Sequence, residues 1–153
     1  MCSNCKCKAL NLLADSRPVQ SSEAEPRLHP DTADRHILVV DDERTVRELM
    51  VVVLKREGLD VQSAEDGYEA VARVQTDASI ALIILDWRMP GMMGDETLDR
   101  IVAVRPNVKI VVASGDTPSD VKDAFSGRRV EGFVSKPFRA ETLLTTVRSA
   151  LAA

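Results

Sequence analysis

The segment that most restricts the fold of this chain is IALIIL, Ile80 to Leu85, which runs directly into Asp86. It has no polar alternation, so a strand built from it must be covered on both faces. Four more strand-length runs accompany it: HILVVD from His36, DVQSA from Asp60, VKIVVAS from Val108 and EGFVS from Glu131. A stretch with helical spacing follows each of the five. ERTVRELMVVVLKREG aligns Val46, Leu49, Met50, Val53 and Leu54, with Gly58 as its stop. DGYEAVARVQT opens with Asp66 and Glu69 at capping-box spacing, and DETLDRIVAVR is halted by Pro106. In TPSDVKDAFSG, Thr117, Pro118 and Asp120 suit the cap, first turn and third position. RAETLLTTVRSALAA is expected to bury Leu143, Leu144, Val147 and Leu151. Strands alternating with helices in this way imply right-handed crossovers and a parallel sheet covered on both faces. The expected architecture is a doubly wound α/β domain, in which ligands bind beyond the carboxyl ends of the strands.

Residues 1–35 read differently. DSRPVQSSEAEPRLHPDTADR is rich in Pro, Ser and charge and has little apolar periodicity, so a disordered tail is expected before a domain spanning 36–153. The tail's acidic and basic residues cancel, which leaves the net charge of −4 on the domain. That charge offers no general attraction to nucleic acid or anionic membrane. No apolar run approaches the length of a membrane span, and a cytoplasmic protein is the expectation. All three cysteines, Cys2, Cys5 and Cys7, lie within MCSNCKCK, so none can staple the core. Metal binding by these thiolates with His29, redox sensing, lipidation and no fixed chemistry all remain open.

The strand ends carry the chemistry. Strand one finishes at Asp41-Asp42, strand three at Asp86 and strand four at Ser114, while strand five runs into Lys136. Three ionised acids on one rim would repel one another and resist desolvation, at a cost on the order of several kcal/mol. A hard divalent cation removes that cost. Oxygen-only ligation with few protein carboxylates suits Mg²⁺, which keeps waters and takes oxygens from a phosphoryl group.

LVVDDE, LIILDWRMPGMMGDE, VVASG and GFVSKPF, in that order, resemble the receiver domain of two-component response regulators, and the resemblance covers His36 to Ala153. It implies a flavodoxin-like (βα)5 fold with strand order 2-1-3-4-5. By the same resemblance Asp86 is the phosphoacceptor, taking a phosphoryl group from a phosphohistidine donor. Asp41, Asp42, Asp86 and the backbone carbonyl of Arg88 would hold Mg²⁺, for which Mn²⁺ can substitute. Lys136 and Ser114 would bind phosphoryl oxygens, and Pro137 would follow a cis peptide. Phe133, where tyrosine is commoner, would turn inward after Ser114 moves. The face of the fourth helix, fifth strand and fifth helix would then change its binding partners, dimerisation through it being one option. Arg88 and Asp116, of opposite charge on the rim, are expected to pair across the phosphate and lengthen its lifetime.

The blander readings are that Asp42 or Glu43 merely caps the first helix, that Asp86 begins a turn, and that Ser114 satisfies its own backbone. No helix-turn-helix, basic patch or effector is visible after Lys136, so a stand-alone receiver is expected: a signalling switch rather than an enzyme. Its donor would be a sensor histidine kinase or a histidine phosphotransfer protein. Two outputs compete, a phosphorylation-switched protein-binding module and a phosphorelay shuttle or sink. A Mg²⁺-dependent phosphatase with an aspartate nucleophile would want an acid where Arg88 stands, and a flavodoxin-like nucleotide binder would want a glycine-rich loop after strand one.

Overall fold

The computed structural model describes residues 35–153, and the cysteine cluster and His29 lie outside them. The chain alternates β1 (His36–Val40), α1 (Arg44–Arg56), β2 (Asp60–Ala64), α2 (Gly67–Thr76), β3 (Ile80–Asp86), α3 (Gly94–Val104), β4 (Lys109–Ser114), α4 (Pro118–Ala124), β5 (Gly132–Ser135) and α5 (Ala140–Ala152). The five strands form one parallel sheet in the order β2-β1-β3-β4-β5. This is the doubly wound arrangement expected from the apolar runs, with the flavodoxin-like strand order that the resemblance implies.

Side chains alternate across each strand and feed two separate cores. Ile37, Val39, Leu82 and Ile84 pack on one face with Met50 and Leu54 of α1 and Leu143 and Val147 of α5. Leu38, Val40, Ile83 and Leu85 pack on the other with Ala70, Val74, Leu98 and Ile101 of α2 and α3. β3 sits mid-sheet and is buried along nearly its whole length, which is why its sequence lacks alternation. Each of its large side chains withdraws enough surface from water to contribute about 1.5–3 kcal/mol.

The helical faces of α1 and α5 are those read in the sequence except at Leu49 of α1. In α1 the buried line is Arg47, Met50 and Leu54, whereas Leu49 is 51% exposed. Val46 and Val53 flank that line half-buried, because the helix turns its guanidinium-bearing edge toward the sheet. In α5 Leu143, Val147 and Ala150 face the core, and Leu144 and Leu151 lie at its margin. The caps of α2 and α4 form on Asp66 and Thr117, whose side chains accept from the backbone N–H of Glu69 and Asp120. Glu69 reaches back past the cap to the N–H of Glu65 at 2.8 Å. Gly58 takes φ +79°, the left-handed geometry that lets α1 end.

Candidate functional site

Parallel register brings the strand ends level. Val40 pairs with Leu85, Asp86 with Ala113, and Ser114 with Ser135. Asp41, Asp86, Ser114 and Lys136 therefore leave the sheet at one edge. Asp41 is fully buried and Asp86 is 6% exposed, while Asp42 stands in solvent. One carboxylate oxygen from each of the three acids falls within 4.8 Å of the others.

Lys136 bridges two of them. Its Nζ donates to Asp41 Oδ2 at 2.6 Å and to Asp86 Oδ1 at 3.1 Å. The other Asp41 oxygen accepts from the backbone N–H of Glu43 at 2.9 Å. Burial, reinforced by the charges of Asp41 and Asp42, pushes the Asp86 carboxyl up to about 6 against the opposing pull of Lys136. Burial also works against the Lys136 charge, but the hydrogen bonds and charges of Asp41 and Asp86 outweigh it and raise the ammonium above its ordinary value. Near neutral pH the rim thus holds an ionised Asp86 carboxylate beside the Lys136 ammonium.

The loop after β3 is built around close backbone packing. Gly94 N–H donates to the Trp87 carbonyl at 2.7 Å, and a Cβ on Gly94 would lie 2.4 Å from the Asp86 carbonyl oxygen. Gly91 takes φ +85°, so the loop turns where an L side chain would be strained. The Lys136–Pro137 peptide is cis. Trp87 meets Phe125 edge-on at 6.3 Å between centroids, and the Arg88 guanidinium stacks 4.5 Å above its ring.

The reading of Asp42 or Glu43 as a side-chain cap of α1 fails. Glu43 is the N-cap residue of α1, but its side chain makes no cap hydrogen bond. Asp41 holds the N–H of Glu43 by an Asx-type turn instead. Ser114 does engage locally: its hydroxyl donates to Asp116 Oδ2 at 3.0 Å and accepts from the Asp116 N–H at 3.1 Å. Asp116 also accepts from Arg88 Nε at 2.7 Å, and that guanidinium holds its carboxyl below the usual range. Arg88, Asp116 and Ser114 form one chain beside Asp86. Phe133, on β5, is 40% exposed and borders a small recess that it shares with Ser114, Pro118, Val121 and Lys122.

Sequence reasoning does not single out Arg47. It is buried on α1 and donates to the Asp41 carbonyl at 2.7 Å. A signal is nonetheless present, since a cation at position i of an i, i+3, i+7 apolar line is unusual unless something receives it.

A flavodoxin-like sheet with three acids and a lysine gathered at its carboxyl edge defines a phosphoryl-transfer signalling domain. Residues 37–148 match the family described as the response regulator receiver domain, and the chain belongs to that family. Phosphorylation on aspartate is the chemistry of these two-component switches. The chain is 35% identical over 123 residues to the DNA-binding response regulator MtrA of Mycolicibacterium smegmatis, a match covering 79% of this chain and 52% of that protein. It thus spans about half the length of that curated relative. Among solved structures it is similar to the chemotaxis protein CheY4 of Vibrio cholerae, with 31% identity and a TM-score of 0.69 over 76% of this chain and 98% of the other. The receiver domain of NtrX from Brucella abortus is 32% identical with a TM-score of 0.71, over 76% and 98% of the two chains. No helix of the described residues is long and apolar enough to cross a membrane.

Proposed function

We propose that Asp86 accepts a phosphoryl group from a phosphohistidine donor and that the domain thereby switches its protein contacts. The observation that carries this reading is Lys136 Nζ lying between Asp41 and Asp86, with three carboxylate oxygens within 4.8 Å of one another. An ionised Asp86 oxygen forms the new bond to phosphorus. The P–N bond to the donor imidazole breaks, its electron pair returns to the ring nitrogen, and an acyl phosphate remains. Lys136 stabilises the negative charge spread over the transferring oxygens.

The residues present fit a magnesium ion. Three carboxylates form an oxygen-only set of the kind that cation takes with phosphoryl ligands. Asp41, Asp42, Asp86 and the Arg88 carbonyl are the groups that would hold Mg²⁺, which when bound supplies positive charge for the phosphoryl oxygens. Lys136 neutralises part of the charge of the cluster.

The output is read as protein binding by the receiver itself, through α4, β5 and α5. The exposed Phe133 ring and the recess between it and Ser114 support this, since a hydroxyl drawn toward the phosphate frees space for the ring. Pairing of Arg88 with Asp116 over the rim favours a long-lived phosphoprotein over a rapid shuttle. DNA binding is said of MtrA, and the charge-based expectation of no nucleic-acid partner applies to this receiver only, not to a longer protein.

Incubating the chain and its Asp86→Asn variant with phosphoramidate and Mg²⁺, followed by intact-mass measurement, tests the central step. One added phosphoryl group is expected on the wild type and none on the variant. Equal labelling of both, or no labelling of either, rejects the assignment.

A further inference from the structure

Arg47 occupies a place where a charge is costly. Its side chain is 10% exposed, on the line with Met50 and Leu54 that α1 lowers toward the sheet. A guanidinium cannot shed its proton to escape that setting, so its donors must find acceptors. One terminal nitrogen donates to the Asp41 carbonyl at 2.7 Å, and the other reaches Glu65 Oε1 at 3.3 Å.

The carbonyl it grips belongs to the peptide that joins the two acids of the rim. That unit is planar, so holding its oxygen also sets the direction of the Asp42 N–H and Cα. The same short segment is held at neighbouring points. Asp41 N–H donates to the Ala64 carbonyl at 3.3 Å, and the Asp41 carboxylate takes Glu43 N–H on one oxygen and Lys136 on the other. These contacts fix Asp41. Asp42 is exposed and takes its direction from the backbone it follows.

We infer that Arg47 is a positioning residue of the cation site: from beneath the rim it orients the Asp41–Asp42 peptide so that the Asp42 carboxylate converges with those of Asp41 and Asp86. The inference rests on the reading of these acids as a Mg²⁺ site. Positive charge near a cation site would by itself weaken Mg²⁺ binding, so removing Arg47 should tighten binding if only its charge mattered. Positioning predicts the opposite sign. A purely structural tie between α1 and β1 predicts lower folding stability with Mg²⁺ affinity unchanged.

The test is calorimetric titration with Mg²⁺ of the wild type, Arg47→Lys, Arg47→Gln and Glu65→Gln, with urea unfolding in EDTA measured alongside. Lysine keeps the charge but lacks the planar fork; glutamine loses the charge. Both Arg47 variants are expected to bind Mg²⁺ roughly tenfold or more weakly than wild type, the loss usual for groups that orient metal ligands. Folded Arg47 variants that bind as tightly as wild type, or more tightly, overturn the inference. If neither Arg47 variant folds, Glu65→Gln decides between the two, because its exposed side chain can be changed without burying anything new. Losing the Glu65 charge would itself weaken Mg²⁺ binding, so a few-fold loss that persists at high ionic strength supports positioning, and an unchanged affinity or a loss that salt abolishes rejects it. A wild type that takes no Mg²⁺ sinks the metal-site reading itself, a result distinct from equal binding across the series.

Discussion

Replacing Asp86 by asparagine should make the metal-free protein more stable, although it removes the residue on which function is proposed to depend. Burial raises the Asp86 carboxyl from its ordinary 3.8 to about 6. At about 1.4 kcal/mol per pH unit, that rise corresponds to roughly 3 kcal/mol of destabilisation once the group is ionised in both the folded and unfolded chains. Because the folded value lies above the unfolded one, stability is full below the ordinary value and falls as pH rises through about 6. An amide of the same shape carries no charge to desolvate. It leaves Lys136 paired with Asp41, which holds it at the shorter distance of 2.6 Å. A gain of about 1–3 kcal/mol near pH 7.5 is expected, the lower end allowing for an amide that donates toward Lys136. Near pH 4 the gap should shrink below about 1 kcal/mol, since most folded molecules then carry a protonated Asp86. Urea unfolding in EDTA at the two pH values measures both numbers, and added Mg²⁺ should narrow the gap at the higher pH by stabilising the wild type. A variant no more stable than wild type near pH 7.5, or a gap that ignores pH, refutes the claim that an under-compensated carboxylate sits at this edge.

Three further outcomes are expected. Replacing both Arg88 and Asp116 by alanine breaks a partly exposed ion pair and frees the Ser114 hydroxyl; a pair of this kind contributes about 0.5–1 kcal/mol, so decay of the phosphorylated form followed by intact mass should quicken about two- to fivefold. Arg105 donates to the carbonyls of Val74, Asp77, Ala78 and Ile80, tying the end of α2 to the start of β3. Arg105→Ala should therefore lower unfolding free energy by about 3 kcal/mol, and a loss under about 1 kcal/mol would show that water replaces these contacts. The Asp77 carboxyl is held below its ordinary 3.8 by Ser79, through hydroxyl and backbone N–H, and by Gln62; a lowered acid contributes stability above its ordinary value and loses it as pH falls, so Asp77→Asn should flatten the acid side of the stability profile, and an unchanged acid limb counts against that hydrogen-bonded cluster.

The fold is legible in the sequence because backbone needs shape the choice of side chains. β3 runs over the residues its pattern implies, IALIILD, since burial on both faces admits little but apolar side chains, and the edge strand β2 runs over DVQSA. The helical faces are less legible. Periodicity defines a stripe about 100° wide but does not place its centre. In α1 the apolar residues straddle an arginine, and counting only apolar positions moves the apparent centre to include Leu49. Arginine reads as a surface residue because its charge is usually solvated; the burial of Arg47 depends on an acceptor just past the end of β1, the Asp41 carbonyl, which no local pattern reveals.

The same distinction separates the two halves of the site. Asp41, Asp86, Ser114 and Lys136 can be placed from sequence because parallel register alone brings successive strand ends to one edge. What each side chain does there depends on competition for partners. Lys136 sits between two acids, and its double pairing leaves Asp42 as the acid free to face solvent. Ser114 engages the carboxylate and the backbone N–H of Asp116, two residues along the chain. In the proposed switch, moving that hydroxyl toward a phosphate would break the Ser114–Asp116 bond, so the Arg88–Asp116 pair would resist the exchange. In that proposal a single exchange of hydrogen-bond partners at Ser114 would link the chemistry at Asp86 to the space beside Phe133, and weakening Asp116 should shift both together.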